Sequence, residues 1–172
     1  MYRYQPTNFI RSFMLNPPWE MNNYPTQFFS RAVPYPTLTD DELCALPVAA
    51  ITTPDAILFI WTTAPKLPQC LCIITSWGFE YVTCMAWVKS RISCGWWVRN
   101  QHELLLIARK GNPPYPEPAD RPPSVIHAPT RKHSQKPDEV YKIIEKMYPE
   151  FPKIELFARK ARDGWDSWGN EI

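Results

Sequence analysis

Apolar positions along the chain fall into short blocks of strand length, separated by stretches with helical spacing. FIRSFML predicts a first strand over Phe9–Leu15, cut off by two prolines that have no N–H to donate to a ladder. Thr39-Asp-Asp-Glu42 has the form of a capping box, so a short helix starts there and runs through Leu46. Asp55–Thr62 (DAILFIWT) is the continuous apolar run of a buried strand. Pro65 suits a first helical turn and Gly78 a helix stop. Phe79–Val88 and His102–Arg109 read as the third and fourth strands, and Ser124–Ala128 as a short one. In KPDEVYKIIEKMYP, Val140, Ile143, Ile144 and Met147 share one helical face, and the helix ends before Pro149. KIELFAR at 153–159 is the last strand. Strands separated by helices predict an α/β domain with a largely parallel sheet.

Composition adds bounds. At 172 residues and 45% hydrophobic content the chain can bury a core, and a single domain over 1–172 is expected. The longest apolar run, AILFIW at 56–61, is far short of the ~18–20 residues of a membrane span. MYRYQPTNFIRSF lacks the apolar region and small-residue cleavage site of a signal peptide, so cytoplasmic residence is the expectation. The five cysteines (Cys44, Cys70, Cys72, Cys84, Cys94) form no CxxC pair. They read as reduced thiols filling core space, Cys70 and Cys72 on different helix faces, with a zinc site shared with His102, His127 or His133 as the alternative. Charge is uneven: Lys89–Lys136 carries nine basic and three acidic residues, several in apparent loops beside Trp96 and Trp97. Basic loops interleaved with aromatics suit a polyanion with stackable bases, and equally an ordinary solvated surface.

The proline loop MLNPPWEMN (14–22) has a chemistry of its own. In parallel sheets, ligands bind beyond the carboxyl ends of the strands, where this loop falls. Asn16 offers a carbonyl acceptor, Pro17 and Pro18 leave backbone carbonyls unpaired, and Trp19 on a stiff loop is a stacking platform for a flat base. Two acceptors on an exocyclic NH2 orient its nitrogen lone pair, which is otherwise delocalised into the ring. Stacking on Trp19 would offset the cost of flipping the base out of a duplex. Asn112-Pro113-Pro114-Tyr115 repeats the pattern at the start of the proline-rich loop PPYPEPADRPP, where it also reads as a simple turn.

The Asn-Pro-Pro-Trp run matches the [DN]PP[WYF] signature of amino-methyltransferases. With TLTDDEL, LFIWTT, WGFEYVTCMAWVKSR, NQHELLLIARKGNP, HSQKPDE and KIELFAR…GWDSWGNE in this order, residues 14–172 resemble the mRNA adenosine methyltransferase family (often called MT-A seventy), especially its small bacterial and phage members. The resemblance implies a Rossmann-like methyltransferase fold with permuted motif order, catalytic loop first and cofactor strand near the C-terminus. It thereby accounts for the absence of GxGxxG. It implies S-adenosylmethionine as methyl donor and the N6 amine of adenine as acceptor, in DNA before RNA, with no metal and a possible dimer. By the same resemblance Asn16, Pro17, Pro18 and Trp19 form the catalytic loop. Glu155 and Arg159 approach the cofactor's ribose, Lys136 meets its carboxylate, and Asn170 and Glu171 contact ribose or adenine. Tyr35, Lys89, His102 and Glu103 flank the site and are candidates for touching the target nucleotide, or ordinary loop and strand-end residues. Trp61, Trp77 and Trp87 read as core.

Two departures stand out. The family usually has aspartate at the position of Asn16, and an amide cannot pair as an anion with the cofactor's ammonium. The residues before Asn16 do not resemble the family segment that holds the adenine, so a truncated or diverged N-terminus is expected. These departures leave room for a catalytically silent nucleic-acid-binding subunit. A nucleic-acid module without methyltransferase ancestry would rest on the basic loops alone. Sequence-context recognition is assigned to loops, Ser90–Asn100 and Gly111–Pro123.

Overall fold

A computed structural model describes residues 10–19, 36–95, 97–131 and 135–169. Seven strands form one sheet: β1 (Ile10–Leu15), β2 (Thr52–Thr62), β3 (Glu80–Val88), β4 (His102–Lys110), β5 (Val125–His127), β6 (Lys153–Leu156) and β7 (Asp166–Trp168), in the order β5-β3-β4-β2-β1-β6-β7. β1 pairs parallel with β2 and β6, β6 with β7, and β3 with β5. Among the described strands β4 alone runs against its neighbours, β2 and β3. The expected Rossmann-like, mostly parallel α/β sheet is therefore present, with one reversed strand. Its cause lies between β3 and β4, where the described residues form no helix to carry the chain back, so β3 and β4 meet as a hairpin.

Helices α1 (Asp40–Cys44), α2 (Val48–Ile51) and α3 (Leu67–Ser76) cover one face, and α4 (Glu139–Met147) the other. The capping box forms as expected: Glu42 N donates to Thr39 Oγ1 at 3.2 Å and Thr39 N to Glu42 Oε2 at 2.8 Å. The helix closes at Cys44, before the expected Leu46. Gly78 follows α3 at φ +79°, a conformation that side chains with a Cβ resist. Trp77 Nε1 donates to the Leu43 carbonyl at 3.0 Å and ties α3 to α1.

Each sheet face has its own core. Phe13, Leu15, Leu58, Ile60, Leu106 and Ile154 pack with Leu43, Ile73, Ile74 and Trp77 on one side. Met14, Phe59, Trp61, Trp87 and Leu105 pack with Val140, Tyr141 and Ile144 on the other. Burying such side chains contributes roughly 1.5–3 kcal/mol each. Trp61, Trp77 and Trp87 are core, as expected. On α4 the buried set is Val140, Tyr141 and Ile144, with Ile143 and Met147 only partly covered. Tyr141 enters because its ring packs on Trp165 at 5.4 Å, a contact that aliphatic periodicity does not register.

Two expectations need correction. KIELFAR is not the last strand: β6 stops at Leu156, Phe157 adopts φ +62°, and the chain returns to add β7. Nor do all the cysteines fill the core, because Cys72 and Cys94 are exposed and only Cys70 is fully buried. Burial pushes the Cys70 thiol up to about 12, which makes it inert at neutral pH. The short helix α2 was also absent from the pattern, four residues being too few to show a period.

Candidate active site

Strand direction decides what meets what. The carboxyl ends of β1, β2, β3 and β6 lie on one edge of the sheet, together with the amino end of the reversed β4. That edge gathers Asn16–Trp19, Thr63, Lys89, His102, Glu103 and the turn after Leu156. The second Asn-Pro-Pro-Tyr, at 112–115, follows the carboxyl end of β4 and so lies at the opposite edge. There Lys110 pairs with Ala56, and Asn112 N donates to Asp55 Oδ1 at 2.7 Å.

After Leu15 the chain turns sharply. Trp19 N donates to the Pro17 carbonyl at 2.9 Å, and Leu38 N to the Pro18 carbonyl at 3.0 Å. The proline carbonyls are therefore not unpaired, contrary to expectation. Proline supplies no N–H but fixes φ, and the tight i to i+2 turn centred on Pro18 uses that. A carbonyl oxygen has two lone pairs, so the Pro17 oxygen keeps acceptor capacity beside the half-buried Asn16.

Trp19 is only 9% exposed. Its Nε1 donates to the Trp61 carbonyl at 3.3 Å, and Lys66 Nζ lies 5.9 Å from its ring centroid. Lys66 is itself buried and paired with Asp40 at 3.2 Å. The ring is thus built into the first core, where an open stacking platform was expected.

At the same edge, Glu103 accepts from two ammonium groups: Lys89 Nζ at 2.5 Å on Oε1 and Lys136 Nζ at 2.6 Å on Oε2. Each cation also lies against an indole, Lys136 at 5.5 Å from the Trp61 ring and Lys89 at 5.0 Å from Trp87. Burial acts to raise the Glu103 carboxyl, but the charges of Lys136 and Lys89 outweigh it and hold the group below the usual carboxylate range. Burial pulls the Lys136 ammonium below the ordinary lysine range, opposed by Glu103 and assisted by the Lys89 charge.

Along the edge, Glu155 on β6 is buried and Oε1 accepts from the Tyr141 hydroxyl at 2.9 Å. Burial pushes its carboxyl up, with the Tyr141 bond and the charges of Arg162 and Lys160 offsetting part of that. Arg162 lies 3.7 Å over the Tyr141 ring and donates to Asp138 Oδ1 at 2.5 Å. Ser167 is the β7 partner of Glu155, and its hydroxyl is buried with no hydrogen-bond partner. Trp61 Nε1 and Thr63 Oγ1, at the end of β2, are also buried and unpartnered. Arg159 is exposed, just past the left-handed Phe157.

The structure therefore brings Asn16, Pro17, Trp19, Lys89, Glu103 and Lys136 to one edge, with Glu155 and Arg159 further along it. Tyr35, Asn170 and Glu171 lie outside the described residues. The motif reading missed Tyr141, Arg162, Thr63 and Lys66. Only Tyr141 left a sequence signal, as an aromatic next to the apolar face of α4.

An Asn-Pro-Pro-Trp loop thus stands at the carboxyl edge of a Rossmann-like sheet. The MT-A70 family model matches residues 11–171, and the chain belongs to that family. It is 42% identical over 144 residues to "Type II methyltransferase M.MunI" from Mycoplasma sp, covering 83% of this chain and 62% of that protein. It is 34% identical to an "N(6)-adenosine-methyltransferase MT-A70-like" protein of Arabidopsis thaliana, covering 92% of this chain and 23% of the relative. With the human "N(6)-adenosine-methyltransferase catalytic subunit METTL3" the identity is 33%, over 99% of this chain and 30% of the relative. The chain thus spans under two thirds of each of these relatives. Among the described residues, no helix is long and apolar enough to cross a membrane.

Proposed function

We propose that this chain transfers a methyl group from S-adenosylmethionine to the N6 amine of adenine in nucleic acid, with DNA as the substrate. What carries the reading is the Asn16–Pro17 turn at the carboxyl edge, its Pro17 oxygen fixed by Trp19 N, on the same edge as the half-buried Lys89–Glu103–Lys136 group. The greater identity to the Mycoplasma type II methyltransferase than to the adenosine methyltransferases favours DNA over RNA.

The side chains present suit the donor. A half-buried ammonium, Lys136, matches a carboxylate, and a buried carboxylate, Glu155, matches a ribose diol. Ser167, Thr63 and Trp61 have unpartnered buried polar atoms at the same edge. Bound there, S-adenosylmethionine supplies a methyl group already activated on a positively charged sulfur. The chain's part is positioning. Asn16 Oδ1 and the Pro17 oxygen accept the two amine hydrogens and turn the nitrogen lone pair toward the donor. Trp19 walls the site and keeps water from it. Arg159, Asn170 and Glu171 complete the ribose and adenine contacts, and Tyr35 and His102 flank the target base.

The burial of Trp19 favours a second reading, a nucleic-acid-binding subunit silent in catalysis. Nucleoside mass spectrometry of DNA and RNA from a host lacking adenine methylation, expressing this chain or Asn16→Ala, separates the two. N6-methyladenine in DNA, absent with the variant, is the expected result. A signal confined to RNA keeps the chemistry and replaces the substrate. No signal from folded protein supports the silent subunit.

A further inference from the structure

Residues 89–101 connect β3 to β4 as a zipped hairpin. Lys89 N donates to the Gln101 carbonyl at 2.8 Å and Gln101 Nε2 to the Lys89 carbonyl at 3.1 Å. Further out, Ser93 N donates to the Asn100 carbonyl at 2.7 Å, Asn100 Nδ2 to Cys94 at 3.2 Å, and Arg99 Nε to Ser93 at 3.0 Å. A Cβ on Gly95 would come within 1.9 Å of the Val98 carbonyl oxygen, so the tip needs glycine. This ordered hairpin holds Trp97 98% exposed, beside Val98 at 70% and Ile92 at 58%.

An indole displayed in full on a braced hairpin is unusual, since Trp is mostly buried on average. The hairpin also carries Lys89, Arg91 and Arg99 and no acidic residue. A second copy of the chain would set two like charges together, whereas a phosphate backbone complements them. The stem ends on Lys89, whose strand-end neighbour Glu103 belongs to the candidate site.

We infer that this hairpin is a base-stacking arm: Trp97 stacks on an unstacked base next to the target adenine, and Arg91 and Arg99 sit on the flanking phosphates. The inference rests on the nucleic-acid substrate proposed above. Flipping one base out leaves its neighbours with open faces, and an aromatic ring covers such a face whatever the base.

The test uses the full chain and a fluorescein-labelled DNA duplex containing one mismatched adenine, read by anisotropy. Trp97→Ala should weaken binding roughly tenfold and Trp97→Phe much less, with the thermal melt and S-adenosylmethionine affinity unchanged. Arg91→Ala with Arg99→Ala should flatten the log-affinity against log-salt slope by about two. A 2-aminopurine beside the adenine should be quenched by the parent chain and not by Trp97→Ala. Equal affinity and equal quenching in the variant overturn the inference while leaving methylation standing. So does a fall in oligomeric mass on Trp97→Ala, which would make the hairpin a contact between copies. If the parent chain binds neither DNA nor RNA, the inference falls together with the proposed substrate.

Discussion

The indole N–H of Trp19 donates to the backbone carbonyl of Trp61, 3.3 Å away and 42 positions along the chain. This bond ties the loop leaving β1 to the end of β2, so a residue of the catalytic-loop motif also closes the core. Replacing Trp19 with alanine should cost ~3–5 kcal/mol, as for other large buried aromatics. Phenylalanine keeps the ring and leaves the carbonyl unpaired, at a cost of about 1–3 kcal/mol. Chemical denaturation measures both, and methylation by the better-folded Trp19→Phe variant isolates the part played by the ring.

The two Asn-Pro-Pro copies offer an internal control. Asn16→Ala should lower methylation by about 10²–10³-fold, the loss typical of removing one preorganised polar contact to a transition state. Asn112→Ala, at the far edge of the sheet, should leave the rate within about twofold of the parent. Initial rates on an adenine-containing DNA decide the matter, and equal losses from both variants would contradict the edge assignment.

Glu103 holds two lysines whose charges would otherwise face each other. Glu103→Gln should destabilise the fold by about 1–3 kcal/mol, because it leaves two half-buried ammonium groups uncompensated. The Glu103 carboxyl titrates lower in the folded chain than in the unfolded one, so its contribution is complete above the unfolded value of ~4.3 and fades as pH falls through the folded value. The gap in melting temperature between parent and Glu103→Gln should therefore narrow in acid. Lys136→Met should chiefly weaken S-adenosylmethionine binding, by tenfold or more, as calorimetric titration would show.

Glu155 has the opposite sign. Its carboxyl titrates higher when folded, so its ionisation costs stability at neutral pH and that cost vanishes in acid. Glu155→Gln should match or exceed the parent's melting temperature at pH 7 while binding S-adenosylmethionine more weakly. A variant both less stable and unchanged in affinity would remove Glu155 from the cofactor contacts.

Local chemistry was legible in the residues themselves. Thr39 and Glu42 close a capping box within three positions, Gly78 stops a helix, and β2 reads as buried from its uninterrupted apolar run. Each depends on neighbours a few residues apart, which a linear chain displays. The Asn-Pro-Pro-Trp motif was equally visible, but so was its duplicate, and composition alone left both standing. β7 escaped because three residues, Asp166–Trp168, become a strand only by pairing with β6.

The sequence by itself determined most of the element types, the methyltransferase family and the identity of the chemical groups available. Tertiary structure decided which of those groups meet. Reversal of β4 follows from the hairpin between β3 and β4, and it carries Asn112 to one edge of the sheet while bringing Glu103 to the other. There Glu103 bridges Lys89 and Lys136, partners 14 and 33 positions away, an arrangement fixed by strand direction and burial, to which local propensity is blind.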